Sequence, residues 1–292
     1  MSERSGISGT AFLKGHGTQN DFVIVPDPDG RLELSAETVA ALCDRRAGIG
    51  ADGVLRVVRS VAEPAAAGMA EQAEWFMDYR NADGSIAEMC GNGVRVFARY
   101  LVHAGHAKPG EWAVATRGGV KRVRVAEDAP DGTPGEVTVD MGRAVLPGPD
   151  GITVTVDGRS WPALNVNMGN PHAVAFVEDL AHAGTLHEAP VTAPATAYPQ
   201  GVNVEFVVDR GERHVAMRVH ERGSGETLSC GTGACAVAVA AIRRDGADPA
   251  VTGRPVGYLV DVPGGRLVIE EFPDGRIEMT GPAVIVAAGV LL

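Results

Sequence analysis

Val94, Phe97, Ala98, Leu101 and Val102 recur at three- and four-residue intervals, which places apolar side chains on one face of a helix. A second run, Ala234 to Ile242, is apolar all round, as in a buried helix. Arg243-Arg244 follows it and suits the negative end of a helix dipole. The short runs Trp75 to Tyr79, Val215 to His220 and Val54 to Val58 read as strands. Thr38 to Arg46 carries a helical pattern, and Gly48 is placed to cap it. Glu63 to Glu71 and Ala183 to Gln200 read as plain loop.

These elements are written twice. Met89-Cys90-Gly91-Asn92-Gly93 heads the first helical run, and Ser229-Cys230-Gly231-Thr232-Gly233 heads the second. Asn81 stands nine residues before Cys90, and Glu221 nine before Cys230. Upstream, the stretch from Asn20 to Val25 resembles that from Asn170 to Val177. Downstream, Arg117-Gly118-Gly119 answers Pro263-Gly264-Gly265, each a hairpin-type turn between Val-rich runs. Agreement at many points in one order implies two similar α/β halves related by a pseudo-two-fold axis. Each half is expected to be a mixed β-sheet or barrel around one central helix. We place the first half at residues 1–141 and the second at 142–280, with a Pro/Gly-rich boundary from Gly142 to Gly151. The final apolar run, within residues 281–292, can complete the first half or stay with the second.

Composition narrows the class. Aromatics are 5% of a chain that is 45% hydrophobic, so Val, Ala, Leu and Ile must build the core. With 26 basic and 37 acidic residues the formal charge is −11, and there are no basic runs. Neither nucleic acid nor an anionic membrane is therefore an expected partner. No apolar stretch is long enough to span a bilayer, and four cysteines are too few for a disulfide scaffold. A cytoplasmic protein with reduced thiols is expected.

The two Cys-Gly-x-Gly elements carry the candidate chemistry. A helix N-terminus offers unpaired N–H groups and partial positive charge, which can lower a cysteine pKa and hold a carboxylate. A lone cysteine at a strand-to-helix turn is more often inert packing, and Cys43 and Cys235 are read that way. A matched pair in a duplicated unit is different. Two such elements facing across a cleft suit inversion of a carbon centre, where one thiolate removes a proton and one thiol delivers another. The helix N–H groups would stabilise the negative charge that develops. Such a reaction needs no cofactor, and no His/Cys/Asp/Glu cluster has metal-site spacing. Gly48-x-Gly50-x-x-Gly53 formally matches a dinucleotide fingerprint, but it follows a helical pattern rather than a strand.

The stretch from Tyr79 to Gly93 and that from His220 to Cys235 resemble the two signatures of diaminopimelate epimerases. Met168-Gly169-Asn170-Pro171-His172, Gly48 to Gly53, and Lys14 through Phe22 also resemble motifs of that family, in family order over almost the whole chain. The resemblance implies interconversion of LL- and meso-diaminopimelate, a small-molecule substrate of the lysine and peptidoglycan branch. It implies Cys90 and Cys230 as the acid/base pair, with His172 and Glu221 close by to help set protonation. It implies that Gly91, Asn92, Gly231 and Thr232 hold the reacting carboxylate through backbone N–H groups. Asn20, Asn81, Asn170, Asn203, Glu221 and Arg222 match residues that recognise substrate, and a homodimer is implied. Two departures stand out. Thr18-Gln19 replaces the Leu-Gly common in the family's opening loop, and Gly53 stands where some members have Gln. The alternatives are a proline racemase or hydroxyproline epimerase, and a non-catalytic binding relative. Asn92 and Ser229, where the former group has His and Pro, favour diaminopimelate.

Overall fold

Thr18 and Gln19 both have positive φ, at 48° and 62°, and form the two-residue turn that joins strand β1 (Ala11–Gly17) to β2 (Asn20–Pro26). This hairpin opens the computed structural model, which describes residues 7–148 and 151–292. Helix α1 (Ala36–Cys43), N-capped by the Ser35 side chain, leads to β3 (Gly53–Arg59) and β4 (Trp75–Asn81). Helix α2 (Gly91–His103) follows, then β5 (Gly110–Thr116), β6 (Gly119–Val125) and β7 (Val137–Arg143). A second series begins with β8 (Ile152–Val156), β9 (Arg159–Asn167), β10 (Pro171–Phe176) and the short β11 (Val191–Ala193). It continues through β12 (Asn203–Gly211), β13 (His214–Glu221) and β14 (Gly225–Glu226) to helix α3 (Gly231–Arg244). β15 (Val256–Val262), β16 (Gly265–Glu271), β17 (Arg276–Gly281) and β18 (Val284–Val290) complete the chain.

Contacts divide the chain into two units, one running up to Val139 and taking in Gly281–Leu292, the other Asp140–Thr280. In the first, β18, β1, β2, β3, β4, β5, β6 and β7 pair in that order. The β2–β3 and β4–β5 pairs are parallel and the others antiparallel. In the second, β8, β9, β10, β12, β13, β15 and β16 pair in order and β17 follows. There β10–β12 and β13–β15 are the parallel pairs. The two units thus repeat one topology, a mixed α/β arrangement in which strands greatly outnumber helices. In each, the helix headed by the cysteine touches strands from both ends of the order, α2 meeting β1 and β6, α3 meeting β9 and β16. The strands therefore curve around it. Every α2 residue from Gly91 to Leu101 and every α3 residue from Gly233 to Ile242 is buried.

Local details depart from the sequence pattern. The first helix stops at Cys43 rather than Arg46, because the chain turns at Asp44. Gly48 is not its cap. It lies back across the last turn, where a Cβ would fall 2.1 Å from the Ala41 carbonyl oxygen. The N–H groups of Ile49 and Gly50 then satisfy Leu42, and that of Ala51 satisfies Cys43. The two segments read as loop contain short elements. Pro64–Met69 forms a 3₁₀ helix, and the second segment holds β11 and a 3₁₀ turn at Ala195–Ala197. Elements this short show no periodicity to read. No helix among the described residues is long and apolar enough to cross a membrane.

Candidate active site

The first unit places Cys90 as the N-cap of α2, in extended backbone at φ −136° and ψ 119°. Its thiol donates to Asn20 Oδ1 at 3.6 Å, and Asn92 Nδ2 donates to the same oxygen at 3.2 Å. Asn20 is itself held by a 2.7 Å bond from its Nδ2 to Asp52. Cys90, Gly91, Asn92 and Asn20 are thus together at one helix head. Asn81 ends β4, and its side chain donates to Ser85 Oγ at 3.0 Å rather than to any of these. Gly53 pairs with Asn81 across the β3–β4 ladder. A Cβ at Gly53 would lie 2.5 Å from the Arg80 carbonyl oxygen, so this backbone leaves no room for a glutamine there.

Behind the helix head lies Arg95, completely buried. It donates to Asn92 Oδ1 at 2.6 Å, to Thr18 Oγ1 at 3.0 Å and to the Pro282 carbonyl at 2.8 Å. The departure at Thr18 therefore has a structural counterpart. Its hydroxyl ties the β1–β2 turn to the cysteine-bearing helix.

The second unit places Cys230 at the same N-cap position of α3, at φ −113° and ψ 110°. Its sulfur accepts from the Gly233 N–H at 3.3 Å and lies 3.6 Å from Thr232 Oγ1. Asn170 Nδ2 donates to Thr232 Oγ1 at 3.3 Å, and Asn170 Oδ1 lies 3.0 Å from His172 Nε2. His172 is completely buried, and its Nδ1 meets Glu205 Oε1 at 2.6 Å. Glu221 accepts from the Thr227 hydroxyl and also bonds the Cys230 thiol. Asn203 Oδ1 accepts from the Arg222 N–H at 2.9 Å. The Arg222 guanidinium is exposed and donates to the Gln200 carbonyl at 3.1 Å.

The electrostatics of Cys230 reverse the simple helix-end expectation. Burial pushes its thiol well up, and the charges of Glu221 and Glu205 add to this. The bonds from Thr232 and Gly233 offset only part. Burial likewise raises Glu221, with Thr227 partly opposing it. Burial and the two carboxylates thus favour the thiol at Cys230. Cys43 is buried and pushed up to about 11, chiefly by burial, and Cys235 is buried within α3.

Glu205 was not evident in the sequence pattern. The available signal is the alternation of Asn203 and Glu205, which puts both on one face of an otherwise apolar strand. Among the described residues no group of three or more His, Cys, Asp or Glu is placed to hold a metal ion.

Residues 12–147 and 164–286 match the family model described as diaminopimelate epimerase. The chain is 73% identical to the diaminopimelate epimerase of Streptomyces coelicolor, over 96% of this chain and 94% of that one. It is 49% identical to that of Thermobifida fusca, over 95% and 96%. Among solved structures, a Bacillus anthracis phenazine biosynthesis protein of the PhzF family matches with a TM-score of 0.68 at 16% identity, over 97% of this chain and 99% of that one. A hydroxyproline epimerase from Agrobacterium vitis matches with 0.65 at 14%, over 97% and 92%. At such identities these two structures speak for a shared two-domain fold alone.

Proposed function

Since the chain belongs to the diaminopimelate epimerase family, we propose that it interconverts LL- and meso-2,6-diaminopimelate by passing the Cα proton between two thiols, Cys90 and Cys230. The observation that carries this reading is the repeated placement of a cysteine as N-cap of the buried helix in each unit. Inversion needs a base on one face of the carbon and an acid on the other. Two thiols at helix heads supply both, and the helix N–H groups supply the anion stabilisation. The reaction so written uses side chains and backbone only, without a cofactor.

The roles follow from chemistry. In the direction that fits the Cys230 environment, Cys90 as thiolate removes the proton and Cys230 as thiol delivers its own. In the reverse direction the roles exchange. The N–H groups of Gly91 with Asn92 and of Gly231 with Thr232 bind the reacting carboxylate, where charge grows as the proton leaves. His172 and Glu221 set protonation at Cys230. Asn20, Asn81, Asn170 and Asn203 offer both donors and acceptors, which suits a zwitterionic amino-acid end. Arg222, which is exposed, suits the distal carboxylate, and Glu221, beside Cys230, suits the substrate ammonium at the reacting end.

A cytoplasmic place in lysine and peptidoglycan precursor synthesis accompanies this reading. So does a homodimer, supported by an apolar strand with Val286, Ala287, Ala288 and Val290 exposed.

The test is incubation of reduced protein with LL-diaminopimelate in deuterium oxide without added cofactor. Deuterium at Cα together with the meso isomer is expected. Folded, reduced protein that exchanges no Cα proton of diaminopimelate, but does so with proline, would overturn the substrate assignment. Exchange with neither would overturn the activity.

A further inference from the structure

Glu205 is completely buried on β12, in a strand whose neighbours Val204, Phe206 and Val207 are core residues. One carboxylate oxygen, Oε1, takes the 2.6 Å contact with His172 Nδ1. The other, Oε2, is buried and has no hydrogen-bond partner among the described residues. A buried carboxylate with one bare oxygen is costly, and such groups are retained where they serve chemistry. Its position is specific. A Cβ placed on Gly233 would lie 2.8 Å from Glu205 Oε1 and 3.2 Å from Cys230 Sγ. The two atoms flank one point and so stand no more than 6.0 Å apart. Glycine at 233 leaves that space to them.

We propose that Glu205 is a positioning residue for Cys230, fixing His172 by its Nδ1 contact and keeping negative charge behind the α3 N-terminus so that the thiol form persists. The inference rests on the two-thiol epimerase reading above. Glu205 orients the ring, the ring meets Asn170, Asn170 meets Thr232, and Thr232 adjoins the sulfur. The carboxylate also acts directly through space. A like charge this close disfavours the thiolate and so raises the thiol. The charged groups at Cys230 are Glu205 from β12, Glu221 from β13 and, when protonated, His172 from β10. The charged groups where α3 meets β16 lie at its other end, where Arg243 pairs with Glu271 and Asp248.

The test is Glu205→Gln, which keeps shape and removes charge, with pH profiles of kcat/KM measured from LL- and from meso-diaminopimelate. In the direction that uses Cys230 as base, the acid limb is expected to move down by about one unit or more. In the other direction, where Cys90 is the base, the acid limb is expected to stay. Profiles unchanged in both directions, or moved equally, would overturn the proposal. Glu205→Asp keeps the charge but withdraws it from the ring. It should lower kcat roughly tenfold or more with KM within about twofold and acid limbs near wild type. Should Glu205→Gln not fold, an unchanged kcat in Glu205→Asp would be the overturning result. A wild-type protein inactive on both isomers would instead sink the parent reading, so the two failures are distinguishable.

Discussion

Asp78 offers a quantitative test of how the first unit is held. Its carboxylate is completely buried on β4 and faces three guanidinium groups. Arg117 approaches Oδ1 at 2.7 Å, Arg80 approaches Oδ2 at 3.2 Å and Arg56 approaches Oδ2 at 3.3 Å. Arg56 has other carboxylates in Asp27 and Glu63, and Arg80 also donates to the Leu34 carbonyl. Arg117 has the face of Phe76 and, among the described residues, no second carboxylate. Asp78→Ala therefore strands charge rather than merely removing a bond. Breaking a buried ion pair from one side costs about 3–5 kcal/mol. For a unit of this size that corresponds to a Tm lower by on the order of 10 °C. Calorimetry at neutral pH reads this directly. The loss should fall on the unfolding of the first unit, because all four residues belong to it. β4 also runs on to Asn81 and the Cys90 loop, so epimerase activity should fall at temperatures where the wild type is intact. A destabilisation below about 1 kcal/mol would refute the reasoning, since it would equate Asp78 with an exposed ion pair.

Four further outcomes are expected. Cys90→Ala and Cys230→Ala should each lower epimerisation by at least about 10³-fold, measured by formation of the meso isomer, whereas Cys43→Ala should retain activity because that thiol is buried in packing. Acid should weaken the fold through Asp21. Burial alone would raise this carboxyl, but bonds from Arg45 and Lys14 bring it down to about 2. A lowered folded-state pKa gives stability that is present above the ordinary carboxylate range and lost as pH falls through the folded value. In denaturant titrations the advantage of wild type over Asp21→Asn should therefore shrink as pH drops from about 4 to about 2, and a constant difference would contradict this. At the β1–β2 turn, Gln19→Gly should stabilise by about 0.5–1 kcal/mol by relieving an L-residue at positive φ. Thr18→Val should destabilise by about 1–3 kcal/mol by taking the hydroxyl from Arg95.

The architecture was legible because it is written twice. Matching cysteines, matching strand runs and matching turns gave the order of elements, and the helical faces followed from apolar spacing. Gly48 was misread because a glycine after a helical run looks like a cap, whereas here close approach to the Ala41 carbonyl demands it. Arg95 was hidden for a related reason. An arginine on a helix is usually solvated, and only the fold shows that the turn at Thr18 and the carbonyl of Pro282 surround it. Glu205 went unread, although it stands as a charge in an apolar strand. Its meaning required the parallel register that sets His172 beside Asn203 and the crowding at Gly233.

Duplication also raises a chemical difficulty for the proposed mechanism. Two-base inversion by Cys90 and Cys230, as proposed, requires one thiolate and one thiol at the same time. If both cysteines held their protons equally and independently, that mixed state could never exceed half of the molecules at any pH. The scaffold alone would impose this, since both cysteines occupy the same N-cap backbone position. What differs is the surroundings. At Cys90 one bonded neighbour is the neutral amide of Asn20, which also accepts from Asn92, itself bonded to the Arg95 guanidinium. At Cys230 the neighbours are Glu221 and Glu205, whose charges add to burial in holding the proton on sulfur. Carboxylates beside one repeated cysteine and an amide beside the other are the asymmetry that the proposed two-thiol reaction calls for. If the two-thiol proposal holds, the residues that break the repeat, Glu205 against its apolar strand and Arg95 inside its helix, bear on the reaction as directly as the cysteines that preserve it.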